Sequence, residues 1–500
     1  MPDTTNDPAQ RPAQRPAPGA SPTHRYEALA ETIVTLVDNG TLRPGMRAPS
    51  LRRLAAQNRA SMSTALQAYR LLEDRGVLEA RPKSGFYVAS GSKVSLQTPA
   101  VSKPPAKAAP VSVGSGVLEL LEHAANPNLV PLGCAIPSAD LLAASRLDRF
   151  LARAARAQGT DYNIYTEPRG DEKLRTEIAR RGLQWGQILA PQDIAVTCGC
   201  TEALSLALRA ITRRGDTVAI ESPTYFGILQ VLEALGLKAL ELPTDATEGI
   251  ELAALEKALK SKRISVCLLS SNFNNPLGFA VSAAKKQAIL ALLTRHKVPL
   301  IEDDIYGDIY FGKERPQPFS TIAPEADILY CSSFSKTLAP GYRVGWVASR
   351  HHMQRVLEGK FATTLCGPAL PQVALAEFLA NGGYDNHLRR LRRVFADHID
   401  RMVRTIDRSF PRSTRVSRPA GGFVLWLELP EGFDSRRLFK QALEEGICFA
   451  PGDAFSASGR YRNCLRLSCG HDWTPRIEAA VETLGALVTQ QLGEDSPECA

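Results

Sequence analysis

Five times between residues 193 and 346, an apolar run of strand character gives way to a short loop of small and polar residues. The pairs are DIAVT then CGCTEALSL, DTVAI then ESPTYFG, VCLLS then NFNNPLG, VPLI then EDDIYGD, and DILYC then SSFSKTLAPGYRVGW. Amphipathic helical patterns separate them. Parallel neighbours need a crossover long enough to hold a helix, so strands alternating with helices predict a mostly parallel sheet. The expected fold is therefore α/β across residues 117–492. Such sheets collect ligands in the crevice beyond the carboxyl ends of their strands, where all five loops fall.

The loops carry the chemistry for an anionic aromatic aldehyde. Small residues lead into a helix at CGCTEALSL, so the backbone amides near Gly199, Cys200 and Thr201 suit a phosphate, which the unpaired N–H groups and helix dipole favour. Tyr225 is placed to stack on a ring and Asn275 to bond a ring oxygen. Asp303 and Tyr306 bring a carboxylate and a phenol to one strand end. Lys336 offers an amine for a Schiff base, and Ser333, Ser335 and Arg343 are further phosphate ligands. A lysine among cations and away from water has a lowered pKa, which imine chemistry requires. A ring nitrogen kept protonated by Asp303 serves as an electron sink.

Five hundred residues exceed one core and predict several domains. No apolar run reaches the roughly 18 residues needed to span a bilayer, and the Pro-rich start lacks the apolar centre of a secretory signal. A cytoplasmic protein is expected, with no membrane partner and reduced thiols, since the ten cysteines form no CxxC pair or zinc-spaced cluster. No metal is expected. The formal charge of +8 is concentrated at the front: residues 1–115 hold 15 Lys+Arg against 8 Asp+Glu, the remainder 45 against 44. That asymmetry points to a polyanion-binding head on a neutral body. Composition divides the chain into a disordered tail (1–22), a compact head (23–90), a flexible Ser/Pro/Ala/Lys linker (91–116), the large body (117–492) and a short tail (493–500).

The head reads as three helices and a hairpin. RYEALAETIVTLVDNG stops at Asn39-Gly40, Ser50 is placed to cap LRRLAAQN, Ser61 opens MSTALQAYRLLEDRG, and VLEARPKSGFYV folds back on itself. In such an arrangement one short helix enters the major groove while its neighbours and the wing grip phosphates. The blocks GTLRPG, PSLRRLA, SMST, AYRLLEDRG and SGFYV resemble, in register, the winged helix-turn-helix of GntR-type transcription regulators. By position the DNA-contact candidates are Arg52, Ser61, Ser63, Thr64, Arg81 and Lys83. Met62 stands where many relatives carry a basic residue.

The body, through YTEPRG, GCTEA, SPTYFG, NNPLG, EDDIY, SFSKTLAPGYRVG and CLRLS, resembles the fold type I pyridoxal-phosphate enzymes of the aspartate aminotransferase superfamily. That resemblance implies a large domain with a smaller C-terminal α/β subdomain, and Lys336 as the lysine joined to pyridoxal 5'-phosphate. It pairs Asp303 with the pyridine nitrogen, sets Tyr306 and Asn275 on the ring oxygen, stacks Tyr225, and gives a substrate carboxylate to Arg466. Tyr165 would reach a neighbouring subunit's phosphate in a head-to-tail homodimer. Cys200-Thr201 replaces the commoner Ser-Gln type of pair. Head, linker and body together resemble the MocR subfamily, implying a regulator of promoter DNA that senses the vitamer or a small amino compound through an external aldimine. An active aminotransferase with an accessory head is the alternative.

Overall fold

The computed structural model describes residues 25–494 apart from 39–40, 44, 75–76, 82–83, 89–95, 113–115, 158–162 and 262. The expected tail 1–22, the Asn39-Gly40 stop and Lys83 lie outside the described residues, and the Arg81 side chain is not described. The chain forms two units, residues 1–93 and 94–500.

In the first unit, helices Arg25–Asp38, Leu51–Gln57 and Met62–Asp74 precede the antiparallel strands Leu78–Arg81 and Gly85–Val88, in the expected order. Leu29, Ile33, Leu54, Tyr69, Leu72 and Leu78 fill its core. The Tyr69 hydroxyl donates to the Pro49 carbonyl at 2.6 Å and its ring meets Phe86 edge-on at 5.0 Å. One residue thus ties the third helix to both the segment before the second helix and the hairpin. Ser50 caps its helix, accepting the Arg53 N–H at 3.3 Å, and Ser61 accepts the Thr64 N–H at 3.1 Å.

The second unit is built on a nine-stranded sheet among the described residues. In spatial order the strands are Ala109–Pro110, Lys238–Asp245, Thr217–Ser222, Val266–Ser270, Leu300–Asp303, Ile328–Ser333, Gly345–Ala348 and Ile194–Thr197, with Gly249–Ile250 paired to Lys238–Asp245. The five from Lys238–Asp245 to Ile328–Ser333 are parallel. Gly345–Ala348 runs antiparallel to both of its neighbours, so Ile194–Thr197 points the same way as the parallel set. All five loops of the sequence pattern therefore leave one edge. Helices cover both faces, which is why strands such as VCLLS are buried throughout and show no polar alternation.

A smaller C-terminal sheet joins Arg415–Val416, Val424–Glu428, Cys464–Ser468 and Ala450–Pro451, all antiparallel. It is reached through the 27-residue helix Gly383–Ser409, whose Leu388, Leu391, Phe395, Ile399, Met402 and Ile406 recur at three- and four-residue intervals and are buried. The final helix, Pro475–Glu494, continues two residues into the expected tail 493–500; residues 495–500 lie outside the described set. No helix of the described residues is long and apolar enough to cross a membrane.

The expected flexible linker over 91–116 does not hold for its described part. Leu96 is buried in the large core, and the Gln97 carbonyl accepts the Val416 N–H at 2.8 Å. The Ala100 N–H donates to Glu428 at 2.9 Å, and Ser102 bonds Thr244 through its amide at 3.1 Å and its hydroxyl at 2.8 Å. Ala109–Pro110 adds an edge strand to Lys238–Asp245. An extended Pro/Ser/Ala segment has no periodicity of its own, yet its backbone groups find partners on the exposed edges of both sheets. Leu96→Asp is expected to destabilise the large unit by about 3 kcal/mol, the scale of a buried charge in a core; denaturant unfolding followed by tryptophan fluorescence checks this, and a free tether would leave the midpoint unmoved.

Candidate functional site

The strand Leu300–Asp303 lies mid-sheet with Asp303 as its last residue, in register with Ser270 on one side and Cys331 on the other. Successive strand side chains point to opposite faces, so the consecutive carboxylates of Asp303 and Asp304 serve different sites. Asp304 enters a buried network, accepting from Arg315 Nη2 at 2.6 Å, Asn272 Nδ2 at 2.8 Å and the Tyr330 hydroxyl at 2.9 Å. Arg315 also reaches Asp308 at 2.9 Å. This network clamps the EDDIYGD loop and leaves Asp303 facing a cavity of about 310 Å³.

That cavity brings together most of the sequence-predicted residues: Cys200, Thr201, Tyr225, Asn275, Asp303, Tyr306, Ser335, Lys336, Arg343 and Arg466. Asp303 Oδ1 accepts the Ile305 N–H at 3.2 Å and the Cys200 thiol at 3.7 Å. Burial lifts the Asp303 carboxyl to about 6, so it is mostly ionised at neutral pH. Burial, with the Asp303 charge behind it, pushes the Cys200 thiol well up; it stays protonated and donates. Cys200 therefore offers an anion only its backbone amide, its sulfur being turned to the carboxylate.

Lys336 Nζ donates to the Ala135 carbonyl at 2.6 Å and lies 5.9 Å from the centre of the Tyr306 ring. Burial first, then the Arg466 charge, lower its pKa to about 8. Arg466 is fully buried on the strand Cys464–Ser468, donating to the Gly133 carbonyl and, at 3.5 Å, to Asn275 Oδ1. Its Nε has no partner, and neither do the buried Tyr306 hydroxyl and Ser335 Oγ. Burial raises the Tyr306 phenol, which therefore remains a donor. Tyr225 is pushed up to about 12 by burial and packs its ring on Phe226 at 4.7 Å.

At the other end, Gly199 begins the helix Cys200–Ile211 with φ +88°. A Cβ there would lie 2.5 Å from the Arg343 guanidinium, and one at Gly345 would meet the Gly199 backbone at 2.6 Å. The two glycines let the helix start, Arg343 and the neighbouring strand close on one another. Arg343 Nη2 donates to the Cys198 carbonyl at 2.8 Å.

Residues 138–484 match the family described as aminotransferase class I and II, and residues 25–88 match the gntR family of bacterial regulatory proteins. The uncharacterised HTH-type transcriptional regulators YdcR and YjiR of Escherichia coli are 38% and 36% identical over 94% and 93% of this chain and 100% and 98% of their own. The chain belongs to the GntR regulators that carry an aminotransferase class I and II unit. This is the MocR type of architecture. Among solved structures, LysN, the α-aminoadipate aminotransferase of Thermus thermophilus complexed with N-(5'-phosphopyridoxyl)-L-leucine, aligns with a TM-score of 0.71 and 31% identity, over 76% of this chain and 96% of that one.

Three residues expected at this site of the aminotransferase-like unit stand apart from the cavity. Ser333 Oγ accepts the Ser335 N–H at 3.2 Å and shapes the turn before Lys336. Gly199 stands one residue before Cys200, the first residue of the cavity wall there. Tyr165 is 82% exposed. Conversely, the stretch Gly133–Ile136, which no motif singled out, supplies two carbonyls that hold the cationic ends of Arg466 and Lys336. Its contribution is backbone, so residue identity carries no signal for it. On the head, the exposed Arg52 and the Ser61, Ser63 and Thr64 cluster stand at the starts of the second and third helices, with Ser61 Oγ 2.8 Å from Ser63 Oγ and 2.7 Å from Thr64 Oγ1.

The lowered pKa sets a pH dependence. An amine at about 8 is half neutral at pH 8 and loses its nucleophile as pH falls through that value. The rate at which Lys336 captures an aromatic aldehyde is expected to rise through pH 7 and level off above about pH 9, one decade past that pKa. An ordinary lysine, near 10.4, would keep climbing through that range. Stopped-flow absorbance against pH distinguishes the two profiles.

Proposed function

We propose that the protein is a DNA-binding transcription regulator whose aminotransferase-like unit holds pyridoxal phosphate and responds to that vitamer or to a small amino compound. The observation that supports this most is the set of groups on one cavity wall: a lysine with a lowered pKa, a buried carboxylate, and a phenol and a serine hydroxyl with no partner, all in a chain that also carries a GntR unit. The unpartnered donors fit a polar ligand, and the helix start beside Arg343 fits its phosphate. When bound, pyridoxal phosphate supplies an aldehyde that condenses with amines and a ring that draws electrons.

In this reading Lys336 presents the neutral amine, and Asp303 keeps a proton on the ring nitrogen. Tyr306 and Asn275 bond the ring oxygen and Tyr225 stacks on the ring. The backbone at Gly199, Cys200 and Thr201, with Ser335 and Arg343, holds the phosphate, while Ser333 orders the turn that carries Lys336. Arg466 receives the carboxylate of an amino compound. Tyr165 reaches the same site of a second copy in a head-to-tail homodimer. Arg52, Ser61, Ser63, Thr64, Arg81 and Lys83 face operator DNA, and the protein works in the cytoplasm.

Regulation requires that the ligand bind two states of the body with different affinity, since equal affinity shifts nothing. A coupling of about 1–3 kcal/mol corresponds to a 5–150-fold change in DNA affinity. Adding an effective amine to protein saturated with pyridoxal phosphate is expected to change affinity for the chain's own promoter region by about tenfold in a mobility-shift titration, within that range. Robust transamination with no specific, salt-resistant DNA binding would instead favour the enzyme reading. That second reading has its own support: a 2-aminoadipate transaminase of Thermus thermophilus is 32% identical over 71% of this chain.

The close approach at the phosphate end gives a separate test. Gly345→Ala would place a methyl group 2.6 Å from the Gly199 backbone, and backbone cannot swing aside. Affinity for pyridoxal phosphate is expected to fall by about tenfold or more, on the scale of 1.4 kcal/mol per decade, read by titration of the visible absorption band. An unchanged midpoint would remove the helix start from the binding site.

A further inference from the structure

Outside the cavity, the strongest unexplained feature is the outward face of the helix Gly383–Ser409. Its sequence HLRRLRRVF alternates buried leucines with arginine pairs. Arg389, Arg392 and Arg393, together with Lys313 from the loop after Tyr310, border an open hollow of about 1010 Å³. A second hollow of about 440 Å³ shares Arg393 and continues past Arg390 to Arg401. From Arg389 to Arg401 the helix rises roughly 18 Å at about 1.5 Å per residue.

The cations there outnumber the carboxylates: six basic residues border the two hollows against Asp385, Asp397 and Asp472. Asp385 in the first hollow is taken by Arg181 Nη1 at 2.9 Å, and Asp397 in the second by Arg401 Nε at 2.8 Å. Among the described residues no carboxylate side chain pairs with Arg389, Arg390, Arg392, Arg393 or Lys313. Arg390 Nη2 bonds the Leu141 carbonyl at 2.7 Å, and Arg389 bonds Asn386. Arg392 lies 3.8 Å from the centre of the Tyr310 ring and bonds the Asp308 backbone carbonyl at 2.9 Å, so its charge is held in place. Like charges four apart on a helix, as at Arg389 and Arg393, repel one another and work against the helix that carries them. Residues 116–500 taken together, the ridge included, are nearly neutral, at 45 basic against 44 acidic. A local basic ridge on a neutral body is a feature to be explained by a partner.

We propose that this ridge is a second phosphate-binding surface, taking the backbone of duplex DNA independently of the winged helix-turn-helix. Arginine suits the task, because its fork of donors matches phosphate oxygens and stays charged at any working pH. Contact with the backbone carries no sequence information; it adds affinity and a salt dependence. Lys313, Arg389 and Arg393 are exposed and lie outside the cavity that holds Lys336, so replacing them leaves that site intact.

The test uses the full chain and a fluorescent duplex of random sequence, about six helical turns long at 10–10.5 base pairs per turn, bound across a range of NaCl concentrations. Each neutralised phosphate contributes about 0.9 to the slope of log K against log salt. The triple variant Lys313→Ala, Arg389→Ala, Arg393→Ala is expected to flatten that slope by about 2 to 3, with an unchanged thermal midpoint and an unchanged response of the cavity to pyridoxal phosphate. Arg389→Lys with Arg393→Lys in the otherwise natural chain keeps the charge and is expected to retain most of the slope. An unaltered slope in the triple variant would overturn the proposal. So would loss of inorganic phosphate binding with the DNA slope intact, which would make the ridge a site for small anions instead.

Discussion

The burial of one carboxylate opposite one amine organises the large unit. Asp303 and Lys336 come from different strand ends, and neither is cheap to bury in its charged form. The structure offsets that cost with fixed partners. Asp303 has the Ile305 amide and the Cys200 thiol; Lys336 has the Ala135 carbonyl. Arg466 works in the opposite sense, since its charge, after burial, helps lower the lysine to about 8. The result is a carboxylate that stays charged and an amine that gives up its proton readily, held together without being neutralised against each other.

Holding those groups still is the work of the layer behind them. Asp304, Arg315, Asp308, Arg181 and Asp385 form a chain of ion pairs from the strand end to the first turn of the helix Gly383–Ser409. Next to Lys336, the Thr337 hydroxyl lies 2.7 Å from that of Tyr384, and its carbonyl is 2.6 Å from His387 Nε2. Both functional loops are thus anchored to one helix, which leads directly into the smaller C-terminal sheet carrying Arg466. A displacement of that helix would therefore be felt at the Asp303 and Lys336 loops together.

Much of this was legible before the structure. The five loops could be placed because a parallel sheet buries both faces and ends each strand at the same edge, so apolar runs and polar loops alternate visibly in the chain. Lys336, Asp303, Tyr306 and Asn275 converge as that pattern implies. The head was equally readable, since Ser50 and Ser61 mark helix starts by chemistry local to the sequence. What escaped detection works through backbone. Gly133 and Ala135 act by their carbonyls, and any residue could supply those. Residues 96–112 look like a tether by composition, yet their amides and carbonyls complete the edges of two sheets. Ser333 illustrates a third case: a hydroxyl beside a site can be used by the turn that builds the site. Tyr165, exposed on a single chain, has no role that one copy can reveal.

The central claim is that the amine of Lys336 is the group that meets the aldehyde. Borohydride reduction of the full chain after incubation with pyridoxal phosphate, followed by peptide mass mapping, addresses it directly. The account predicts a phosphopyridoxyl addition confined to the peptide bearing Lys336, complete at one equivalent per chain. Labelling spread evenly over the surface lysines, with Lys336 unmodified, would contradict it.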